Sequence, residues 1–324
     1  MPEAPSFSEA FGHRTVTHAA ITTFGGLTGD YAQMHFDRDF GPAQGMGGTI
    51  AHGLLSGAWA LGALAQYAPK RLGLGEPDAV MTGYRVKFSR MIFIDDLFSL
   101  RWRNSEAPAT EGLASEHGLH TEFEVLNQRA EVVTRGSVSV SEPRADESSG
   151  DGPALPRPSE PLSIGPWTGE GIPLPIYAED MVKHGPRGES LGRTVTETDI
   201  VNWTNFTGEL NPLYLNAPFA EQGAFGARVA PPMWTFCLGF GDYLRDLLSV
   251  SMPSSGFAGH LGDSWRFFAP VLVHDTLRTR HRPVSFKPSG SRPGMGVVEF
   301  ALEIVNQRDE IVQDGRVAMM MSMR

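Results

Sequence analysis

The sequence predicts an α+β protein in which two copies of one module follow each other along the chain. The stretch from Thr28 to Gly53 and the stretch from Thr207 to Pro232 are variants of one another, at an offset of 179 residues. Each copy continues with a long apolar segment and then with strand-like alternation, in the same order. The chain is therefore interpreted as a tandem duplication.

The apolar segment of the first copy predicts a buried helix. From about Ile50 to Tyr67 the apolar residues leave almost no polar face, so other structure must surround the helix. Residues 84–103 are strand-like, and residues 119–125 alternate apolar and polar side chains before a turn at 127–129. The second copy repeats the alternation over 297–304. A helix wrapped by a long antiparallel sheet is the hot-dog arrangement, and two copies predict a double hot-dog fold with two antiparallel sheets, each wrapping a central helix.

The domain boundaries follow from a change in composition. Residues 1–141 form the first predicted hot-dog domain, 142–190 a linker and 191–324 the second domain. Residues 141–190 hold nine acidic residues, four basic residues and nine of the 24 prolines, which is typical of an extended, solvated linker. We expect residues 142–175 to be mobile. The two sheets are expected to pair edge to edge as an internal pseudo-dimer, and two chains to form a homodimer.

Composition narrows the class of protein. The 324 residues are 41% hydrophobic and 20% charged, as in ordinary globular domains. The net charge of −10 argues against a nucleic-acid binder, because binding phosphates needs a basic face. No apolar run is long enough to cross a bilayer and the N-terminal stretch lacks signal-peptide features, so we expect a cytoplasmic protein. The single cysteine, Cys237, is interpreted as a buried thiol rather than a nucleophile.

An acid/base pair distinguishes the two copies. Asp30 and His35 lie five residues apart in a Gly-Asp loop of the first copy, and an Ala-His-Gly triplet follows at 51–53. At the same offset the second copy has Glu209, Tyr214 and a Pro-Pro pair. The first copy is therefore predicted to be catalytic and the second to be its partner.

These residues carry a resemblance to a known family. The stretches TGDYAQMHFD and GTIAHGLLS resemble the hydratase motif of the MaoC-like (R)-specific enoyl-CoA hydratase/dehydratase family, in its tandem double hot-dog form. The family pattern is Ser/Thr-Gly-Asp-x-Asn-Pro-x-His-x-Asp, followed by Ala-His-Gly. Ala32 and Gln33 replace the family Asn and Pro, which the second copy keeps as Asn211 and Pro212. This departure points to a changed substrate range.

The resemblance implies a role for each catalytic residue. In the hydration of a 2-enoyl thioester Asp30 acts as base and His35 as acid, and the roles reverse for dehydration. The backbone N–H of Gly53, at the start of the buried helix, would bind the thioester oxygen, because unpaired amides and the helix dipole favour negative charge there.

Further residues are predicted to bind substrate: Gln33, His52, Ser56, Arg85 and Arg90. Gln33 would supply an amide in place of the family asparagine. His52 and Ser56 also have the positions of residues that pack or cap at a helix start. The two arginines suit the phosphates of coenzyme A, and a solvated strand face is the equal alternative.

We therefore expect a hydro-lyase that reversibly adds water to a 2-enoyl-CoA or to an enoyl group on an acyl carrier protein. One alternative is a mesaconyl-CoA hydratase or methylmalyl-CoA dehydratase type enzyme. Another is a non-catalytic thioester-binding hot-dog protein. No metal and no organic cofactor beyond the thioester carrier is expected, because no His, Cys and carboxylate group has ligand spacing along the chain. No nucleic acid or membrane partner is expected.

Overall fold

Two long helices, one in each half of the chain, are wrapped by antiparallel strands. The computed structural model describes residues 5–109, 118–141, 153, 155–158, 160–253 and 257–324. Within these residues the central helices are α4 (Gly53–Tyr67) and α9 (Pro232–Leu248). Most side chains of α4 are buried, as its apolar sequence predicts. The helix begins at Gly53, three residues after the predicted start.

From Phe11 in the first half and from Arg193 in the second, the elements occur in the same order. The first half contains β1 (Phe11–Thr15), α1 (His18–Thr28), α2 (Gln33–Phe36), α3 (Phe40–Ala43), then α4, β2 (Met81–Phe88), β3 (Leu97–Asn104), β4 (Gly118–Leu126) and β5 (Val132–Ser141). The second half contains α5 (Met181–His184), β6 (Gly188–Glu189), β7 (Arg193–Thr194), α6 (Glu197–Thr207), α7 (Pro212–Leu215), α8 (Ala217–Ala220), then α9, β8 (Phe257–Phe267), β9 (Thr276–Pro288), β10 (Met295–Val305) and β11 (Ile311–Ser322). The predicted duplication is thus a duplication of structure.

The two predicted sheets, one in each module, join edge to edge into one antiparallel sheet that runs through both halves. Over the described residues its strand order is β1-β3-β4-β5-β2-β8-β11-β10-β9-β6, with β7 also paired to β9. The two halves meet where β2 pairs with β8, in a register that runs from Gly83 opposite Arg266 to Lys87 opposite Gly262. The expected edge-to-edge pairing removes two free strand edges and turns two modules into one sheet.

The predicted linker ends in ordered structure. Residues 142–152, 154 and 159 lie outside the described residues, so the predicted mobility of 142–175 falls partly there. Farther along, Ile176, Ala178 and Met181 are buried in the core, and β6 pairs with β9. Residues 176–190 therefore form part of the second module. Burial of these apolar side chains offsets the entropy of ordering the segment.

Two turns that share one construction connect β2 to β3 and β8 to β9. The Asp96 carboxylate accepts the N–H of Phe93 at 2.8 Å, and the Asp275 carboxylate accepts the N–H of Leu272 at the same distance. This repeat indicates a structural role for Asp96. Cys237 is buried, as expected. No helix in the described ranges is long and apolar enough to span a membrane.

We expect a fragment that ends at Ser141 to self-associate or aggregate. Removing the second module exposes the β2 edge and the apolar surface of α4, and an unpaired edge strand recruits another chain. Size-exclusion chromatography with light scattering should show a dimer or aggregate. A well-folded, monomeric fragment would contradict the dependence of this half on the β2–β8 pairing.

Candidate active site

A sharp turn at the end of α1 presents Asp30 to the interior. Thr17 caps the N-terminus of α1 by accepting the N–H of Ala20 at 3.1 Å, and Gly29 ends the helix in the left-handed conformation (φ 78°). The Asp30 carboxylate then accepts the N–H of Ala32 at 3.2 Å. Asp30 is only 4% exposed, so its polar atoms depend on these local hydrogen bonds.

His35 is held by the strand-like segment that precedes α4. It lies on the single-turn helix α2, and its Nδ1–H donates to the carbonyl oxygen of Ile50 at 2.9 Å. This hydrogen bond leaves Nε2 as the nitrogen that can exchange a proton. Burial lowers the pKa of His35, and the nearby Asp30 carboxylate opposes that shift. The free protein therefore favours the neutral imidazole.

His52 contacts both Asp30 and His35. Its Nε2–H donates to the carbonyl oxygen of Asp30 at 3.0 Å, and its ring lies over the ring of His35 with centroids 3.9 Å apart. Burial, aided by His35, lowers the pKa of His52 to about 3. A permanently neutral histidine that fixes the backbone of Asp30 is a positioning residue. His52 does not line the cavity described below.

Gly53 is the first residue of α4, where backbone N–H groups have no intrahelical acceptor. The ring of Phe88 packs directly over it, so that a Cβ at residue 53 would lie 3.0 Å from Phe88 Cζ. A side chain here would displace Phe88. The predicted oxyanion donor therefore stands at the start of α4, and Gly53 lines the cavity described below.

Asp30, His35 and Gly53 line one cavity of about 160 Å³. Its walls come from both modules: Met34, Met46, Ile50, Leu54, Phe88, Arg90 and Ile92 from the first half, and Phe240, Leu244, His260, Leu261, Arg292 and Met319 from the second. Most of this surface is apolar, with a few converging polar groups, as in typical small-molecule sites. The second module thus forms half of the site, although it lacks the acid/base pair.

The second module also contacts the loop that carries Asp30. A Cβ at Gly241 of α9 would overlap the carbonyl oxygen of Thr28, two residues before Asp30. The indole N–H of Trp234 donates to the carbonyl oxygen of Leu27 at 3.0 Å. The equivalent glycine of α4, Gly62, lies in the same way against Thr207 of the second copy. Each central helix therefore determines where the loop of the other module lies.

The equivalent site of the second copy is closed. Glu209 and Tyr214 border a cavity of about 10 Å³, separate from a groove of about 30 Å³ beside Pro232. The Tyr214 hydroxyl donates to the Glu209 carboxylate at 3.4 Å, and burial raises the pKa of Glu209 to about 7. Glu209 is hydrogen-bonded within its own module, and the small cavity beside it leaves no space for a substrate.

Four of the five predicted substrate-binding residues lie away from the cavity. Gln33 is exposed and donates to the Asp37 carboxylate at 2.8 Å. The Ser56 hydroxyl donates to the carbonyl oxygen of Gly53 at 2.6 Å and contacts the Thr134 hydroxyl. Arg85 is exposed on β2 between the buried Tyr84 and Val86, because successive side chains of a strand face opposite sides. With His52 buried behind the pair, Arg90 is the member of this set that lines the cavity.

Sequence reasoning missed the residues that the second module contributes. His260 and Arg292 reach the cavity from β8 and from the β9–β10 turn. The duplication offset contains a signal for the first of them, because it aligns His260 and Asp263 with Met81 and Tyr84. The second copy therefore has a histidine and an aspartate where the first copy has a methionine and a tyrosine.

The structure brings together a His and carboxylate group that was not expected from sequence spacing. Asp30, His35 and His52 offer ligand atoms within 4.8 Å of one another. The His35 and His52 rings are tilted by 31° to one another, with centroids 3.9 Å apart. His35 Nδ1–H and His52 Nε2–H donate to backbone carbonyl oxygens, which leaves one nitrogen of each ring. By distance alone these donors would suit a metal.

Two family models match the chain, one in each half. A model described as a MaoC like domain matches residues 7–114, and a model described as the FAS1-like dehydratase domain region matches residues 185–315. The chain thus contains a MaoC-like dehydratase domain followed by a FAS1-like dehydratase region. Its double hot-dog fold occurs in solved structures: a MaoC domain dehydratase from Chloroflexus aurantiacus has a TM-score of 0.73 at 14% identity and covers 99% of this chain and 96% of its own.

A Mycobacterium tuberculosis protein described as having a double hotdog fold has a TM-score of 0.69 at 16% identity over 98% of this chain and 96% of its own.

Sequence relatives match shorter stretches. A 3-hydroxybutyryl-CoA dehydratase of Methylorubrum extorquens is 26% identical over 127 residues, 39% of this chain and 73% of the relative. An (R)-specific enoyl-CoA hydratase of Rhodospirillum rubrum is 30% identical over 101 residues, 31% of this chain and 65% of the relative. A beta-methylmalyl-CoA dehydratase of Chloroflexus aurantiacus is 29% identical over 120 residues, 37% of this chain and 32% of the relative.

The paired glycines offer a matched test of loop support in this MaoC-like protein. We expect Gly241→Ala to lower turnover at least tenfold, because the new methyl group pushes the Thr28 carbonyl and misplaces Asp30. Gly62→Ala introduces the same overlap at Thr207 and should cost similar stability with far less loss of turnover. Thermal denaturation and steady-state kinetics of both variants separate the two effects. Equal losses of turnover would contradict this support role.

Proposed function

We propose that this protein catalyses the reversible addition of water to the double bond of a 2-enoyl thioester, as a hydro-lyase. The observation that carries the proposal is the convergence of Asp30, His35 and the first N–H of α4 on one largely apolar cavity. An acid/base pair beside an oxyanion donor is what this reaction requires.

Asp30 and His35 share one transferable proton. In dehydration the Nε2 lone pair of neutral His35 removes the proton from Cα, and protonated Asp30 gives its proton to the departing hydroxyl, which leaves as water. Hydration runs in reverse: ionised Asp30 takes a proton from water as the oxygen attacks Cβ, and the His35 imidazolium protonates Cα. The neutral His35 that burial favours is the form required to begin dehydration.

Other residues at the cavity would bind two further parts of the substrate, the thioester oxygen and the phosphates of its carrier. Negative charge that develops on the thioester oxygen is stabilised by the Gly53 N–H and the positive end of α4. Arg90 and Arg292, one from each module, are exposed cations that would meet the phosphates of coenzyme A. An acyl carrier protein is the alternative carrier. Comparison of crotonyl-CoA with carrier-bound crotonate distinguishes the two.

Asp30→Asn and His35→Ala should each lower the turnover of a 2-enoyl-CoA by at least about a hundredfold, the lower end for loss of a positioned acid or base. Loss of absorbance at the enoyl-thioester band measures hydration directly. A parallel assay for free thiol detects hydrolysis of the thioester, which would place the protein among hot-dog thioesterases instead.

The second copy supplies the matched controls for these variants. Glu209→Gln and Tyr214→Phe alter the equivalent pair in the closed site and should reduce turnover far less. If Glu209→Gln abolished turnover while Asp30→Asn preserved it, the active site would be assigned to the wrong module. Binding of the thioester without turnover by the unaltered protein would favour the non-catalytic alternative.

We also propose that the reaction needs no metal and no organic cofactor beyond the thioester carrier. The proposed mechanism uses the Asp30 carboxylate and His35 Nε2 for proton transfer, which leaves His52 as the one clustered donor without a catalytic role. Dialysis against a strong chelator should leave kcat and KM unchanged. Loss of turnover that is restored by zinc or magnesium would overturn this expectation.

A further inference from the structure

A histidine of the second module that lines the cavity is paired with a buried aspartate. The Nε2 of His260 and the Oδ1 of Asp263 are 2.8 Å apart, and both residues lie on β8. Asp263 is 4% exposed. Since Asp263 occupies Nε2, the nitrogen that remains for a ligand in the cavity is Nδ1, which has no hydrogen bond within the described part of the chain.

The ring of His260 is fixed by two phenylalanines. Phe240 of α9 stacks on it with an interplanar angle of 17° and a centroid distance of 4.7 Å. Phe88 of the first module meets it edge to face at 4.8 Å, and the same Phe88 ring covers Gly53. His260 therefore cannot turn away from whatever occupies the cavity. It is also close enough to His35 to help lower the pKa of that residue.

The pair exists only beside the module that keeps the acid/base residues. At the duplication offset, Met81 and Tyr84 occupy the equivalent positions, and Met81 borders the closed site of the second copy. Stability does not explain the pair, because Asp263 Oδ2 has no hydrogen-bond partner among the described residues and burial raises the pKa of Asp263. A destabilising pair confined to the open site indicates a function there.

The neighbourhood of His260 shows what that function requires. Around it the second-module wall is formed by Phe240, Leu244, Leu261 and Met319, all apolar. A saturated acyl chain against this wall would strip water from Nδ1 and leave it without a partner, which is unfavourable for a polar atom. An oxygen substituent on the chain would replace that water. Sites built in this way discriminate strongly against analogues that lack the polar group.

We propose that His260, oriented by Asp263, is a specificity-determining residue that hydrogen-bonds a hydroxyl group on the acyl chain beyond the reacting double bond. This inference rests on the proposed hydratase function. A hydroxyl fits better than a carboxylate, because the pair contains its own carboxylate and lacks the net positive charge that a second one would need. The preferred substrate is thus a hydroxylated 2-enoyl thioester.

Three chain-matched substrates test the proposal: a straight-chain 2-enoyl-CoA, its terminally hydroxylated analogue and its terminally carboxylated analogue. The unaltered protein should favour the hydroxylated substrate over the alkyl one by at least about tenfold in kcat/KM. His260→Phe keeps the aromatic stack and should remove that preference, mainly through KM. Asp263→Asn should weaken the preference in the same direction, because the ring is no longer held in one tautomer.

His281→Phe is the matched control, since it replaces another buried histidine of the second module that does not line the cavity. It should leave the substrate preference intact, and thermal denaturation checks that all variants are folded. An equal fall in kcat for all three substrates in His260→Phe would assign His260 to proton transfer and overturn the proposal. A preference for the carboxylate or the alkyl chain would also overturn it. Absence of turnover with any substrate would instead count against the hydratase function.

Discussion

The contact between the two modules is the constraint on which the rest of the structure depends. Strands β2 and β8 join the two halves into one sheet, and each central helix lies against the loop of the opposite module. At Gly62 and Gly241 only the absence of a side chain allows the helix to approach the neighbouring carbonyl oxygen. The position of Asp30 is therefore determined by residues about two hundred positions away. A single module could form the loop but not its support.

Burial of polar groups explains how the two copies diverged. In the first copy, Asp30, His35 and His52 are nearly removed from water and remain hydrogen-bonded through backbone groups of the same module. Desolvation lowers the pKa of both histidines and so favours the neutral imidazole in each. The second copy satisfies Glu209 with Tyr214 and closes the cavity around them. The same loop geometry thus supports a reactive pair in one module and a static hydrogen bond in the other.

The second module supports the loop that carries Asp30 and also forms part of the cavity wall. Phe240, Leu244 and Met319 form the apolar wall that faces the first module, and Arg292 reaches the cavity from a turn. These residues belong to a helix, a strand and a loop that are distant in sequence. The pseudo-dimer allows each half to evolve separately, which a symmetric dimer of identical chains does not permit.

Several features were determined by the sequence alone. The duplication, the buried helix, the double hot-dog fold and the family were all predicted, because they depend on local periodicity and on a short motif whose members lie within one module. Asp30, His35 and Gly53 form one site for the same reason: a loop and the helix start that follows it can be read together. The sequence could not predict that three residues would lie away from the cavity. Arg85 points outward from its strand, Ser56 is hydrogen-bonded within the protein, and Gln33 is exposed. Those depend on which face of an element meets the core, and on contacts that form only after packing. The tertiary structure alone decided that His260 and Arg292 join the cavity, since the antiparallel pairing of β2 with β8 brings together residues that no sequence spacing connects.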